Sequence, residues 1–266
     1  MKKTLLIICI FLVLQAMFGI ISQKLLTFLS RACQLTAEQS ASLSIWLLGL
    51  SLLLANALMI AVVHAIMRAT KNAITAGGKI HLSPKAVLLI FITQMLLIFV
   101  VNGFTELLKI PDFIESTLPD MLRNPLCLIT IVVVGPIAEE VCFRRGILSS
   151  LYANESTKRY ALLISSIIFG LIHFNPAQII GAFILGLFFG WIYLHTRSLL
   201  FPILCHIFNN GLSVMLGIFL GIDMKISDFF MNAPMFYFIL FLSVLLMVGS
   251  FKLLKSKIGL ASQKTK

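Results

Sequence analysis

The sequence predicts an all-α membrane protein, a polytopic helical bundle of about eight transmembrane helices with both termini in the cytoplasm. Hydrophobic residues make up 59% of its 266 residues and charged residues only 12%, against about 45–50% and 25% in ordinary soluble domains. The mean hydropathy is +1.04. A water-soluble globule needs more charged side chains to cover its surface, so the composition excludes one and indicates a lipid environment.

The predicted helices correspond to apolar runs that can cross about 30 Å of hydrocarbon. The fifth run is short and is followed by Asn175 and Pro176, so a broken or partly re-entrant segment is the alternative there. The first run follows two lysines and could be a signal peptide, but several spans follow it and we expect a retained helix. The runs cover residues 4–21, 43–67, 86–104, 126–151, 160–174, 177–195, 199–220 and 235–253.

The basic residues predict the orientation of the chain. The formal net charge is +11, from 21 Lys and Arg against 10 Asp and Glu. Most of the basic residues fall in the termini and in the loops on one side of the predicted membrane. Because cytoplasmic loops hold the positive charge of membrane proteins, we expect both termini in the cytoplasm. The short Met-Lys-Lys start and the lysine tail favour a multi-pass protein of the cell inner membrane. The charge then requires no nucleic-acid partner.

Two adjacent carboxylates lie inside the fourth apolar run. Ionisable residues are costly in a bilayer, so each one is a functional hypothesis by default. Glu140 and Arg144 stand at i and i+4 in the favourable order for an ion pair, and we favour a structural role for this pair. Adjacent helical residues point about 100° apart, so we expect Glu139 to serve a different partner from Glu140. Pro136 loosens the helix beside Glu139, as happens where a helix lines a cavity.

Three further polar residues lie in later runs. His173 ends the fifth run, and His206 and Asn210 share one face of the seventh as i and i+4. A lone polar residue of this kind more often makes an interhelical hydrogen bond. Converging with Glu139, however, these side chains could activate water and stabilise an oxyanion. They could also bind a divalent metal such as zinc, with Glu139, His173 and His206 as candidate ligands.

Three short motifs follow one another on three of the predicted helices. They are Glu139-Glu140-x-x-x-Arg144, Phe169-x-x-x-His173 and His206-x-x-x-Asn210. Each motif alone is weak, but the ordered set is specific. Together they resemble the motifs of the CPBP family, which contains the CAAX prenyl endopeptidases and the bacteriocin-processing and self-immunity proteins, also called the Abi family. The resemblance covers roughly residues 126–220.

The resemblance implies an intramembrane endopeptidase with a helical-bundle core. It implies that Glu139 is the general base that activates water and that His173 holds or polarises this water. It also implies that His206 and Asn210 stabilise the oxyanion.

Glu140 and Arg144 correspond to supporting residues of the first family motif. One departure is visible, because Arg145 stands between Arg144 and Gly146 where the family usually has Arg followed directly by Gly. The sequence lacks the HExxH helix of zinc peptidases. It also lacks a Gly-x-Ser-Gly nucleophile run and a pair of membrane aspartates, so the other intramembrane protease chemistries gain no support.

The sequence therefore predicts three regions. Residues 1–120 form transmembrane helices without a recognised motif, residues 121–225 form a catalytic core of four helices, and residues 226–266 form the last helix and a basic cytoplasmic tail. We expect a peptidase, with or without a metal, that acts on a hydrophobic or membrane-bound peptide or protein substrate. The alternatives are a non-catalytic immunity factor that protects against a bacteriocin-like peptide and, with weaker support, a proton or ion pathway.

Overall fold

The computed structural model describes residues 2–68, 74, 80–108, 110–113, 116–221 and 225–263, which include every candidate site residue. Of these described residues 86% are helical and none forms a strand, so the all-α class is confirmed. Within the described residues, seven helices are long and apolar enough to cross a membrane, close to the number expected.

Nine helices are described in these parts of the chain, several with a proline in the first turn, where its missing N–H costs nothing. Two short 3₁₀ turns, Lys158–Tyr160 and Ile226–Phe229, lie between helices. The helices are α1 (Lys2–Ala32), α2 (Ala37–Arg68), α3 (Pro84–Leu107), α4 (Leu118–Arg123), α5 (Pro125–Tyr152), α6 (Ala161–Leu171), α7 (Pro176–Thr196), α8 (Leu200–Leu220) and α9 (Ala233–Gln263).

The fifth predicted span differs from the structure. Its helix, α6, has 11 residues and is about 16 Å long, which is too short to cross the hydrocarbon core. The helix does not continue directly into α7 because Pro176 disfavours helical geometry at the preceding residue, and Asn175 is extended with φ −114° and ψ 110°. Phe174 adopts a positive φ of 50°. The broken-segment alternative is therefore the one observed.

Helices α6 and α7 pack closely as a hairpin because glycines face the contact. A Cβ at Gly170 would lie 2.9 Å from the Ile179 carbonyl oxygen, and one at Gly186 would lie 3.0 Å from Cδ1 of Phe169. This close approach presses the Phe169 ring, which is 1% exposed, against the inside of the bundle.

Helix α5 alternates between α-helical and π-helical geometry. The stretches Thr130–Val134 and Val141–Leu148 are π-helical, and Gly135–Glu140 between them is α-helical. Changes of this kind alter the usual i→i−4 pairing and are frequent at functional sites. Two carbonyls of α5 accept hydrogen bonds from neighbouring helices. The Phe143 carbonyl accepts from Ser165 Oγ at 3.3 Å, and the Ile131 carbonyl accepts from Asn210 Nδ2 at 2.9 Å. The carboxylates of the first motif lie at the end of the short α-helical stretch.

Two clusters of buried apolar residues support α5 and α8. One joins α1, α2, α5, α6 and α7, and the other joins α3, α7, α8 and α9. Representative members are Ile7, Val63, Phe143 and Phe169 in the first cluster, and Ile90, Phe189, Cys205 and Leu254 in the second. The His206 ring lies at the junction, with its centroid 5.8 Å from that of Phe169 and 5.3 Å from that of Phe189.

Large apolar side chains cover the outside of the bundle. Leu5, Phe28, Leu88 and Phe241 are each more than 60% exposed. Such a surface is unfavourable in water and suits contact with lipid chains. The side of the membrane on which each terminus lies stays a prediction.

Candidate active site

Glu140 and Arg144 form a fully buried ion pair within α5. Arg144 Nε donates to Glu140 Oε2 at 2.8 Å, Nη2 lies 3.4 Å from Oε1, and both side chains are 0% exposed. The pair predicted from the i, i+4 spacing is confirmed. Arg144 Nη1 has no hydrogen-bond partner among the described residues, and the guanidinium carbon lies 4.8 Å from the Phe169 ring centroid, a cation–π distance.

The imidazole of His206 lies between the two carboxylates of α5. Its Nδ1 donates to Glu140 Oε1 at 3.0 Å, and its Nε2 lies 3.7 Å from Glu139 Oε2. The expectation that Glu139 and Glu140 serve different partners is therefore wrong. The reason is that the two nitrogens lie on different edges of the ring, so one imidazole can approach two side chains that diverge by about 100°.

Glu139 differs from Glu140 in its surroundings. Its side chain is 22% exposed, and its buried Oε2 has no hydrogen-bond partner in the described part of the chain. Gly135 leaves space beside it, since a Cβ there would lie 3.9 Å from Glu139 Oε1. Buried acceptors in proteins are normally paired with protein or water. Glu139 is therefore the carboxylate with capacity to bind a water molecule or a substrate group.

His173 lies in the turn that follows α6. Its Nδ1 is 2.8 Å from the carbonyl oxygen of Phe169. A carbonyl only accepts hydrogen bonds, so Nδ1 carries a proton and Nε2 is the acceptor of the neutral ring. This bond fixes the orientation of the imidazole in the way second-shell partners orient functional histidines.

Phe169 connects the residues of the site, although we predicted no role for it from the sequence beyond its place in the second motif. Its ring makes edge contacts with the rings of His173 and His206 at centroid distances of 5.2 and 5.8 Å. It also lies under the Arg144 guanidinium. His173 thus joins the cluster through an aromatic ring, with no direct hydrogen bond to the carboxylates.

Asn210 contacts the π-helical part of α5. Its Nδ2 donates to the Ile131 carbonyl at 2.9 Å. This carbonyl lacks its usual partners, because the N–H of Gly135 bonds Thr130 and Pro136 has no N–H to offer. One N–H of the Asn210 amide therefore satisfies α5, and the other stays available for a further acceptor.

This contact makes a testable prediction about α5. Asn210→Leu leaves the Ile131 carbonyl unpaired and should lower the free energy of unfolding by about 1–3 kcal/mol, measured by SDS titration in mixed micelles. Pro136→Ala supplies an N–H at position 136 that can bond the Ile131 carbonyl. The double variant Asn210→Leu/Pro136→Ala should therefore lose less free energy of unfolding than the sum of the losses of the two single variants. Asn209→Leu is the control, because the Asn209 amide donates only to Asn210 Oδ1 in the described structure. Additive losses would contradict the assignment.

The donor set does not fit a metal with three protein ligands. No group of three or more His, Cys, Asp or Glu residues is placed to hold a metal ion within the described ranges. Glu139 Oε2 and His206 Nε2 lie 3.7 Å apart, whereas His173 is joined to them through the Phe169 ring. Catalytic zinc sites use three protein ligands, so the candidate set of Glu139, His173 and His206 gains no support as a zinc site.

Comparisons with known proteins agree with the motifs. The family model described as type II CAAX prenyl endopeptidase Rce1-like matches residues 122–212. The putative membrane peptidase YdiL of Bacillus subtilis (strain 168) is 35% identical over 92 residues, which are 35% of this chain and 37% of the relative. The membrane-embedded CAAX protease MroQ of Staphylococcus aureus (strain USA300) is 28% identical over 131 residues, 47% of this chain and 53% of the relative.

The matched parts cover only about a third to a half of these relatives. No solved structure matches the chain. The matched segment contains all three motifs, from Glu139 to Asn210, and lies within α4 to α8. The resemblance predicted from the sequence is therefore confirmed for this part of the chain: residues 122–212 match the model of the type II CAAX prenyl endopeptidase Rce1-like family.

Proposed function

We propose that this protein is an intramembrane endopeptidase that hydrolyses a peptide bond of a membrane-associated or hydrophobic substrate with water activated by Glu139. One observation carries the proposal. The His206 imidazole lies between Glu140, whose carboxylate also pairs with Arg144, and Glu139, whose Oε2 has no hydrogen-bond partner among the described residues. The family match supports the reaction class.

The charges of the cluster suit this chemistry. With His206 protonated on both nitrogens, Glu139, Glu140, Arg144 and His206 sum to zero charge, which reduces the cost of holding ionised groups in a bilayer. The Nδ1–H bonds Glu140, and the Nε2–H then points towards Glu139 and anything bound beside it. Glu140 and Arg144 act as positioning residues, because they hold His206 without requiring contact with the substrate.

The reaction then follows a general-base sequence. Glu139 accepts a proton from water as the water oxygen adds to the carbonyl carbon of the scissile peptide bond. The oxyanion that forms receives hydrogen bonds from Nε2–H of His206 and from the second amide N–H of Asn210. Glu139 returns the proton to the leaving amine as the C–N bond breaks. His173 orients the water through its Nε2.

The wider expectations belong to the same proposal. Residues 121–225 form the catalytic core, and residues 1–120 and 226–266 surround it. The chain lies in the inner membrane, and its substrates are hydrophobic or membrane-bound peptides or proteins. The relative from Staphylococcus aureus is named a CAAX protease, and a CAAX-type substrate is therefore the first class to test.

Peptides released by membranes test the function. Membranes that hold the intact protein should release peptides that are absent with Glu139→Gln, as compared by mass spectrometry. Glu155→Gln is the matched control, because the same chemical change falls on a side chain that is 84% exposed and pairs with Lys158 at the surface. Equal peptide sets from intact and Glu139→Gln membranes would overturn the proposal and favour the immunity-factor alternative.

A further inference from the structure

Gln94 is a fully buried polar residue in the apolar helix α3. Its Nε2 donates to the Cys205 carbonyl at 2.6 Å, and Cys205 directly precedes His206. Its Oε1 is buried and has no hydrogen-bond partner among the described residues. Unsatisfied polar groups are expensive in lipid. A glutamine that makes one interhelical bond at this cost therefore calls for an explanation beyond helix packing.

Thr93 is a buried polar residue of the same helix that makes its hydrogen bond within α3 and therefore serves as a comparison for Gln94. It is also buried on α3, but its hydroxyl bonds the Leu89 carbonyl of its own helix at 2.8 Å. Gln94 instead reaches α8, where Phe91 of α3 also packs edge-on against Phe208 at 5.4 Å. The hydrogen bond to Cys205 precedes His206 in the chain and the ring contact of Phe208 follows it, so the two contacts hold this part of α8 against α3.

A second contact links the chain that follows α3 to the turn of His173. Asn175, which is 2% exposed, donates from Nδ2 to Asp112 Oδ1 at 2.9 Å. In return the backbone N–H of Phe113 donates to Asn175 Oδ1 at 3.1 Å. Phe174 between His173 and Asn175 has a φ of 50°, a geometry that costs free energy and persists only when neighbouring contacts hold it. The paired bonds of Asn175 supply such contacts.

We propose that Gln94 and Asp112 are positioning residues for the two histidines of the site, Gln94 for His206 and Asp112 for His173. Both lie outside the matched segment, residues 122–212, so the chain that precedes this segment completes the site. The inference rests on the proposed function for its catalytic consequence. Its geometric part concerns only the orientation of two rings.

Each histidine can be observed separately. Side-chain ¹⁵N NMR spectra of the full chain in detergent micelles report ring orientation and hydrogen bonding, with signals assigned by single His→Gln changes. Gln94→Met, or Gln94→Leu if the first variant is poorly expressed, should shift the His206 signals and leave those of His173 in place. Asp112→Ala should shift the His173 signals and leave those of His206 in place. Asp112→Asn keeps an acceptor oxygen, so its His173 signals should stay close to those of the intact protein.

The controls separate positioning from general damage. Thr93→Val should move neither signal, and His64, His81 and His195 serve as reference rings in every variant. If each variant shifted both site histidines alike, or left its own histidine unmoved, the proposal would be overturned.

Cleavage of a peptide released by the intact protein gives the second readout. Misplacement of a catalytic group by about 1 Å costs up to about 100-fold in rate, so Gln94→Met and Asp112→Ala should each lower kcat at least about tenfold with a smaller effect on KM. If the intact protein cleaves nothing, the proposed function fails, whereas the NMR spectra still decide whether Gln94 and Asp112 hold the two rings.

Discussion

Glu139→Gln should lower kcat for cleavage of a peptide substrate by about 10²- to 10⁴-fold, the usual contribution of a positioned general base. The amide has nearly the same shape as the carboxylate but cannot accept the proton of water at neutral pH. Because the amide also keeps an oxygen that can accept a hydrogen bond, the change should leave KM nearly unaltered. Steady-state kinetics on a peptide found in the release experiment measure both constants.

The same variant should preserve the fold, since the 22% exposed side chain has no described hydrogen bond through Oε2 and loses only its charge contact with His206 at 3.7 Å. Unfolding by SDS in mixed micelles should therefore occur at nearly the same SDS fraction as for the intact protein. The kinetic control is again Glu155→Gln, for which we expect unchanged kcat and KM. Full activity of Glu139→Gln would rule out Glu139 as the base.

Much of the fold follows from the sequence because its causes are local. Runs of apolar residues predict the long helices, and Asn175-Pro176 predicts the break that makes α6 short. The ion pair of Glu140 with Arg144 follows from helical spacing alone. These features depend on residues that are near in sequence, so periodicity and turn chemistry are sufficient to predict them.

The contacts between helices were not predictable in the same way. The spacing of Glu139 and Glu140 on a regular helix argues against a shared partner, yet His206 approaches both. Whether they share a partner depends on the position of the His206 ring, which belongs to α8. Bonds to backbone carbonyls, such as that of Asn210 to Ile131, leave no sequence signal apart from the proline that lacks an N–H.

Phe169 and Gln94 illustrate the same limit. A phenylalanine in an apolar helix predicts packing against lipid or core, and only the structure puts this ring against His173, His206 and Arg144. A glutamine in an apolar helix is a noticeable signal. Its partner, however, is 111 residues away in the chain, a separation that helical periodicity cannot relate.

Arg144→Met should be the most destabilising single change in the site. It leaves the Glu140 carboxylate, which is 0% exposed, with only His206 as a partner. Removing one member of a buried ion pair costs about 3–5 kcal/mol. We expect a loss of this size in the free energy of unfolding, measured by SDS titration in mixed micelles. Arg145→Met is the matched control, because Arg145 is the adjacent residue and no ion pair is found for it among the described residues.

The double variant Glu140→Gln/Arg144→Met shows whether the loss comes from the uncompensated charge. Glutamine at 140 carries no charge and still offers an oxygen that can accept from His206 Nδ1, which lies 3.0 Å from Glu140 Oε1. We therefore expect the double variant to be more stable than Arg144→Met alone by at least about 1 kcal/mol, since replacing both members of a buried pair is often nearly neutral. If the two changes were additive, the loss would instead reflect the contact of the guanidinium with the Phe169 ring, and Glu140 would not depend on Arg144 for its charge.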